Sequence, residues 1–215
     1  MTIERRMTRN PVTARIDMTA VEALTLMKNE EVEKAPVLDA DGNLVGVITE
    51  KEILSVTLHD DKDISLLEMA YRVSNLTLDK LISSDVVTIS PDTDIEEVCR
   101  IMVTQHISFL PVVDGKKLVG LVSKSDMFKI MMELLGARSY GTRINFRVVD
   151  RIGTIADISK CLSEHNISII SLCTYNDEDP SKVICTLKVH GATYEELKEL
   201  LEPYASGFTD NLGED

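Results

Sequence analysis

Two short segments of the chain carry a hydroxyl and a carboxylate three residues apart, and they are its strongest candidates for ligand chemistry. One pair is Thr49 and Glu52, and the other is Ser123 and Asp126. Each pair lies where an apolar segment gives way to a helical pattern. A carboxylate there can accept hydrogen bonds from the hydroxyls of a ligand, and the hydroxyl and the helix N-terminus can face an anionic group. The structural alternative is that both residues only cap the helix.

The chain lacks the common catalytic motifs. It has no G-x-S-x-G, Walker A or H-E-x-x-H segment. The histidines have no metal-ligand spacing: they are His59, His106, His165 and His190. The cysteines form no C-x-x-C pair and are expected to be free thiols, with a bridge between the last two left open: they are Cys99, Cys161, Cys173 and Cys185. We therefore expect a non-enzymatic binding protein that requires no cofactor and holds no metal; an enzyme with an unrecognised site is the weaker alternative.

The composition excludes several classes of partner. The chain has 215 residues, of which 36 are Asp or Glu and 23 are Lys or Arg, for a net charge of −13. Nucleic acids and anionic membranes are bound by clustered Lys and Arg, so we expect no partner of either kind. No apolar run approaches the roughly 20 residues that span a bilayer, and residues 1–10 lead into no apolar signal region. The expected location is the cytoplasm.

An internal repeat organises the first part of the chain. Val12-Thr13 recurs as Val87-Thr88, and Pro36-Val37 recurs as Pro111-Val112 at the same spacing. Leu44-Val45-Gly46 then recurs as Leu118-Val119-Gly120, at a spacing shorter by one, so the intervening turn has lost one residue. Because turns tolerate insertions and deletions, a constant spacing with one slip in a turn indicates a duplicated unit.

Each unit is predicted to fold as β-α-β-β-α. Thr19 and Thr93 are predicted helix N-caps, because Glu22 and Glu96 follow them three residues later. An Asp-Gly turn joins two strands as a hairpin in each unit, with the strands predicted over 35–38, 44–49, 109–113 and 118–123. One such unit leaves a sheet face uncovered, so the two units should pack against each other. Three methionines of the second closing helix are expected at the interface of this pair: Met127, Met131 and Met132.

A third segment follows residues 136–141, which we interpret as a hinge. Strands are predicted over 143–149, 167–174 and 183–189, helices over 153–165 and 194–201, and a weak last strand over 205–209. This βαββαβ order predicts a ferredoxin-like sandwich. The predicted domain limits are 1–62 and 82–136 for the two repeats, 63–81 for a helical linker, 142–209 for the third segment and 210–215 for an acidic tail.

The repeat resembles a tandem pair of CBS domains. Gly46 to Glu52 and Gly120 to Asp126 resemble the G-h-x-[T/S]-x-x-D signature of that family, with Glu52 in place of its Asp. The resemblance implies an α+β fold and an adenosine-containing ligand such as AMP, ADP or ATP. The residues that it assigns to the ligand in the second repeat are Thr88, Ile107, Ser108, Phe109, Pro111, Ser123, Lys124 and Asp126. Those of the first repeat are Thr13, Ala35, Pro36, Thr49 and Glu52.

The third segment resembles an ACT domain. Asp150-Arg151-Ile152-Gly153-Thr154-Ile155 resembles the D-x-P-G-x-L turn of that family, with Ile152 in place of the proline. The resemblance implies dimerisation, or a second small ligand such as an amino acid. The residues that it assigns to such a ligand are Asp150, Arg151, Gly153, Thr154, Ile155 and Asn166. The order CBS–CBS–ACT resembles that of acetoin-utilization regulatory proteins of the AcuB type.

Two functions follow from these patterns. The first is a non-catalytic regulatory protein, a homodimer that senses an adenine nucleotide at the CBS pair. The alternative is a ligand-free oligomerisation or scaffold protein, in which the signature residues are remnants.

Overall fold

The structure, a computed structural model, describes residues 1–57, 74–82 and 85–209. His59, the acidic tail and most of the predicted linker lie outside these residues. The chain divides into two compact units, Met1–Met127 and Phe128–Asp215.

Both repeats lie in the first unit and have the predicted β-α-β-β-α order. The elements of the first repeat are β1 (Ala14–Arg15), α1 (Ala20–Asn29), β2 (Lys34–Leu38), β3 (Leu44–Thr49) and α2 (Glu50–Thr57). Those of the second are α3 (Ile95–Thr104), β4 (Phe109–Asp114), β5 (Lys117–Ser123) and α4 (Lys124–Leu134), which continues beyond the unit boundary. In the place of β1, Ile89 alone bridges Val112 in parallel.

The strand registers place the ends of each hairpin together. β1 runs parallel to β2, with Ala14 opposite Val37, and β2 is antiparallel to β3. β4 and β5 pair in the same antiparallel way. The hairpin turns contain Gly42 and Gly115 at φ +75° and +61°, a left-handed conformation that glycine adopts without steric cost.

Capping residues set the starts of the helices. At α1 the Glu22 N–H donates to Thr19 Oγ1 at 3.2 Å and the Thr19 N–H donates to Glu22 Oε2 at 2.8 Å, so the predicted capping box is confirmed. The prediction that Thr93 caps α3 is wrong, because the N-cap is Asp94. The Thr93 hydroxyl instead accepts the Ser90 N–H at 3.2 Å. Asp94 occupies the position equivalent to Thr19 in the repeat, so the repeat spacing identifies it correctly.

The segment that precedes each repeat packs on the other repeat. Thr2 bridges Asp94 at the start of α3, and Thr77 bridges Thr19 at the start of α1. Thr77 follows Thr2 by the same number of residues by which Asp94 follows Thr19. The segment that precedes each repeat therefore makes the same contact with the other repeat, and we call these two the exchanged segments. Each segment carries a short 3-10 turn with one fully buried side chain, Ile3 or Leu78. The repeats therefore depend on each other for part of their cores.

The second unit contains a four-stranded sheet with both helices packed on one face. Its elements are β6 (Thr142–Val149), α5 (Thr154–Glu164), β7 (Ser168–Asn176), β8 (Lys182–His190), α6 (Tyr194–Leu201) and β9 (Gly207–Phe208). The strands pair antiparallel in the order β7-β8-β6-β9. Ile158 of α5, Leu197 of α6 and Phe146 of β6 share one buried cluster. The element order is the predicted βαββαβ.

Residues 136–141, interpreted from the sequence as a hinge, are anchored to the sheet of the second unit. Lys188 Nζ donates to the Gly136 carbonyl at 2.9 Å, and Ser171 Oγ donates to the Leu135 carbonyl at 3.1 Å. A Cβ added at Gly141 would clash with the Val189 carbonyl oxygen, so the backbone approaches β8 closely. These contacts hold the segment against the sheet, and its role as a hinge stays a prediction.

The four cysteines are free thiols, as expected. In the β7–β8 register Cys173 lies opposite Thr186 and Cys185 lies opposite Thr174. Because neighbouring residues of a strand point to opposite faces, Cys173 and Cys185 lie on opposite faces of the sheet, and the alternative of a bridge between them is wrong. Burial raises the pKa of the Cys185 thiol to about 11, and the nearby Cys173 adds to the shift.

The methionines of α4 do not pack as the sequence predicts. Met131 and Met132 are 49% and 44% exposed, and Met127 is half-buried. Ile130 is the buried residue of this helix. The face that carries Met131 and Met132 is therefore open to solvent within the chain.

Candidate functional site

The second repeat brings its signature residues to one edge of the β4–β5 hairpin. Phe109 at the start of β4 pairs with Ser123 at the end of β5. The Lys124 N–H, at the start of α4, donates to the Ser108 carbonyl at 2.9 Å. Thr88 precedes Ile89, which pairs in parallel beside β4, so Thr88 also lies at this edge.

Ser123 and Asp126 form a closed hydrogen-bonded pair at the start of α4. Asp126 Oδ2 accepts the Ser123 N–H at 3.0 Å and the Ser123 hydroxyl at 2.7 Å. The Asp126 N–H donates to Ser123 Oγ at 3.3 Å. This is the capping arrangement given above as the structural alternative. It also holds a half-buried carboxylate in a defined place at the strand–helix junction.

The first repeat has the same geometry, with the longer side chain of Glu52 in the place of Asp126. Lys34 at the start of β2 pairs with Thr49 at the end of β3. Glu52 Oε2 accepts the Thr49 N–H and the Thr49 hydroxyl, both at 2.8 Å. The additional methylene of Glu52 therefore still allows the same pair to form. Thr13, directly before β1, lies near Pro36 because β1 is parallel to β2.

Three predicted ligand contacts belong to the core. Ala35, Pro36 and Pro111 are buried inside β2 and β4. They position the neighbouring residues of each edge, and in this structure their side chains are covered by the rest of the fold. The predicted contacts that keep exposed surface at the second edge are Thr88, Ile107, Ser108, Phe109, Ser123, Lys124 and Asp126.

Lys34 joins the two repeats and was not predicted as a site residue. Its ammonium group donates to the Ser108 hydroxyl and lies 5.3 Å from the centroid of the Phe109 ring. Phe109 occupies the position of the second repeat that Lys34 occupies in the first, so equivalent positions of the two repeats meet. No local sequence pattern indicates this contact, because it forms only when the two repeats are packed together.

The residues of the predicted ACT ligand site do not all come together. Asp150, Arg151, Gly153, Thr154 and Ile155 lie between the end of β6 and the start of α5. Asn166 follows the opposite end of this helix of 11 residues, which is about 16 Å long at 1.5 Å per residue. Within one chain, α5 therefore separates Asn166 from the other residues assigned to this site.

The polar groups of the β6–α5 turn are engaged within the turn. The Thr154 hydroxyl donates to the Val149 carbonyl at 3.0 Å, and Arg151 Nη2 donates to Asp157 Oδ2 at 2.6 Å. Gly153 has φ +95°, which explains why a glycine occupies the N-cap of α5. Ile152, in the place of the family's proline, is fully exposed.

Two cavities lie away from the signature edges. One of about 430 Å³ in the second unit is lined by His165, Ile167, Gly191, Ala192, Glu196, Glu199 and Leu200. One of about 410 Å³ in the first unit is lined by Arg15, Ile16, Asp17, Leu38, Asp39 and Ala40. The second of these lies at the ends of β1 and β2 opposite to the signature edge, and neither is lined by a predicted site residue.

Two absences concern only the part of the chain that the structure describes. Within it, no three His, Cys, Asp or Glu side chains are grouped in a way that could hold a metal ion. Across the same residues, no helix combines the length and apolar character that crossing a membrane requires.

Comparison with known proteins identifies the family. The family model for the CBS domain matches residues 3–59 and 78–133, more than half of the chain. The chain belongs to the CBS domain family. The two matched ranges coincide with the two repeats, so the tandem CBS pair predicted from the sequence is confirmed. The matched residues end at 133, and the ACT character of the third segment stays a prediction.

Relatives share the CBS pair. A CBS domain-containing protein of Dictyostelium discoideum is 28% identical over 137 residues, which cover 62% of this chain and 92% of that protein. The crystal structure of a candidate acetoin utilization protein (AcuB) from Vibrio cholerae is similar at 26% identity and a TM-score of 0.54, covering 64% of this chain and 95% of that one. CBSX2, solved in complex with AMP, has a TM-score of 0.52 at 22% identity and covers 61% of this chain and 96% of its own. At that identity, the likeness to CBSX2 shows a common fold.

Proposed function

We propose that this CBS protein is a non-catalytic regulator that senses an adenosine-containing nucleotide at its CBS pair. The observation that carries the proposal is the duplicated strand–helix junction, in which a backbone-held carboxylate lies beside a hydroxyl and a helix N-terminus. In this proposal Asp126, and less favourably Glu52, accepts the ribose hydroxyls. Ser123, Lys124 and the first turn of α4 face the phosphate.

The family relationship supports this assignment. CBSX2, which has the same fold, was solved in complex with AMP. Ligand-induced regulation then requires that the nucleotide bind one state of the protein more tightly than another.

A melting experiment tests whether a ribose is recognised. The full chain is melted with AMP, ADP and ATP, and with 2′,3′-dideoxy-AMP as the matched ligand without ribose hydroxyls. AMP is expected to raise Tm while the dideoxy compound does not, because a ligand at about 1,000 times its Kd adds roughly 4 kcal/mol of stability. Asp126→Asn should remove the AMP effect, and Asp114→Asn, an exposed carboxylate at the turn end of the same hairpin, should keep it.

The same experiment addresses the alternative of a ligand-free scaffold. That alternative rests on the capping hydrogen bonds, which give Ser123 and Asp126 a purely structural role. If millimolar adenine nucleotides leave Tm unchanged in the wild type, the scaffold function replaces the sensor.

For the third segment we propose an ACT-type role in homodimer formation. The exposed side chains of Ile152 and Val149 at the β6–α5 turn support an interface, and the internally paired Arg151 and Thr154 give less support to an amino-acid ligand. Sedimentation of the full chain at micromolar concentration should show a dimer. An Ile152→Asp variant should shift it towards the monomer, whereas an unchanged dimer would contradict this role of the turn.

A further inference from the structure

The two signature edges carry opposite charge. Residues at equivalent positions of the repeats are Glu33 and Ser108, Glu50 and Lys124, and Glu52 and Asp126. The backbone geometry is the same, because the Glu50 N–H donates to the Glu33 carbonyl at 2.9 Å just as Lys124 donates to Ser108. The side chains that the two edges offer a ligand therefore differ while the backbone framework is kept.

Lys34 increases this difference. It comes from the first repeat, but its ammonium group lies on Ser108 and over the Phe109 ring of the second. Among the described residues, no carboxylate is seen within ion-pair distance of Lys34. The second edge thus has the Lys34 ammonium group on the Ser108 hydroxyl, the exposed Lys124 whose backbone N–H donates to the Ser108 carbonyl, and the carboxylate of Asp126.

The first edge is acidic. Glu33, Glu50 and Glu52 lie at it with Lys51 beside them, and Lys34 has its backbone here while its ammonium group reaches Ser108 of the second repeat. Opposite charges near a half-buried site attract each other several times more strongly than in bulk water, and the repulsion between like charges increases by the same factor. A phosphate would therefore be favoured at the second edge and disfavoured at the first.

We propose that the CBS pair discriminates ligands by charge. The second edge selects a phosphorylated nucleotide with Lys34, supplied by the first repeat, as a specificity-determining residue. The first edge takes a nucleoside without phosphate, neutral or cationic. This inference rests on the proposed function, because it assigns the ligand class at each edge of the same CBS pair.

The test compares AMP with adenosine, which share base and ribose and differ by the phosphate. Calorimetric titration of the full chain should show AMP binding more tightly than adenosine at the second edge. Lys34→Met should weaken AMP about tenfold, the size expected for one charge-assisted hydrogen bond, and leave adenosine unchanged. Lys28→Met, an exposed lysine of the same repeat, is the control for net charge.

A second pair of variants examines the first edge alone. Asp126→Asn disables the second edge, and the remaining site should prefer adenosine to AMP. Adding Glu50→Lys, which installs the lysine of the equivalent position, should raise AMP affinity about tenfold. Equal preference for AMP at both edges would overturn the inference.

The outcomes separate this inference from the proposed function. If neither AMP nor adenosine binds, the proposed function itself fails and the inference falls with it. If both ligands bind and Lys34→Met weakens both equally, or lowers Tm without changing the ratio of AMP affinity to adenosine affinity, Lys34 only stabilises the packing of the two repeats. The inference is then overturned, and the proposed function stands.

Discussion

At the residue scale, the signature hydroxyls and carboxylates make the same hydrogen bonds as ordinary capping residues. The Thr193–Glu196 pair at α6, far from either signature in sequence, forms the same box, with Glu196 Oε2 accepting the Thr193 N–H at 2.8 Å. The sequence pattern alone therefore cannot separate a cap from a ligand site. What distinguishes Ser123 and Asp126 is their surroundings, namely Lys34, Ser108 and Lys124.

Ser123→Ala and Thr193→Ala should destabilise the protein equally and differ in ligand binding. Each removes an N-cap hydroxyl that accepts a backbone N–H, at a cost of about 1 kcal/mol. Urea unfolding measures this cost, and nucleotide titration should show weakened AMP binding in Ser123→Ala only. Equal AMP affinity in the two variants would assign Ser123 to capping alone.

Acid should weaken the second unit through Asp177. The Asp179 N–H and then the Arg147 guanidinium hold the pKa of Asp177 below its usual range. A carboxyl whose pKa is lower in the folded state stabilises the fold above its unfolded pKa of about 3.9, and this contribution is lost as the pH falls through the folded value.

The test compares the free energy of unfolding, measured with urea, at pH 5 and at pH 3. This free energy should fall more steeply between the two pH values for the wild type than for Asp177→Asn. Glu195→Gln, which alters an exposed carboxylate of α6, should follow the wild type. Parallel pH dependence of wild type and Asp177→Asn would show that this ion pair does not contribute.

At the element scale, the repeat spacing and hydrophobic patterns predicted nearly every helix and strand. The starts of α2 and α4 and the whole of β3 and α6 are as expected, because hydroxyl–carboxylate pairs, Asp-Gly turns and alternation are local signals. The N-cap at Thr93 was mispredicted, because its hydroxyl accepts the Ser90 N–H and the repeat spacing, which points to Asp94, was not applied to the cap. The contacts of residues 136–141 with β8 were not predicted, because local sequence does not show which distant strand a segment packs against.

Gly120 reports on the packing of the N-terminal segment against β5. A Cβ at this position would overlap Met7 Sδ and lie 2.9 Å from Met7 Cγ and 3.2 Å from the Thr8 carbonyl oxygen. Gly120→Ala should therefore destabilise the protein by about 1–3 kcal/mol through overpacking. Met7 is a flexible side chain, so Met7→Ala should relieve part of the cost.

A double-mutant cycle measures this coupling. The Gly120→Ala/Met7→Ala protein should be more stable than the sum of the two single changes predicts. Simple additivity would mean that residues 1–8 do not pack on the second repeat as the structure shows.

At the scale of the whole molecule, duplication produced two similar frameworks whose side chains then diverged. The exchanged segments and the Lys34–Phe109 contact tie the repeats into one unit, and the second edge includes a residue of the first repeat. The sequence predicted the edges and most of their residues. It did not predict Lys34, because that contact exists only once the two repeats are packed together.

Because the net charge is −13, the positions of the basic residues decide where this protein could bind a phosphate. An acidic surface repels anionic ligands in general, so any binding of AMP needs a local excess of positive charge. The second edge, with Lys34 and Lys124, is the place proposed for it.

The most direct measurement is a crystal structure of the full chain grown with millimolar AMP. The predicted result is AMP at the second edge, with its ribose hydroxyls on Asp126 and its phosphate between Lys34 and the start of α4. AMP bound elsewhere, for example in the cavity beside His165 and Glu199, or crystals without AMP, would contradict nucleotide sensing at the CBS pair.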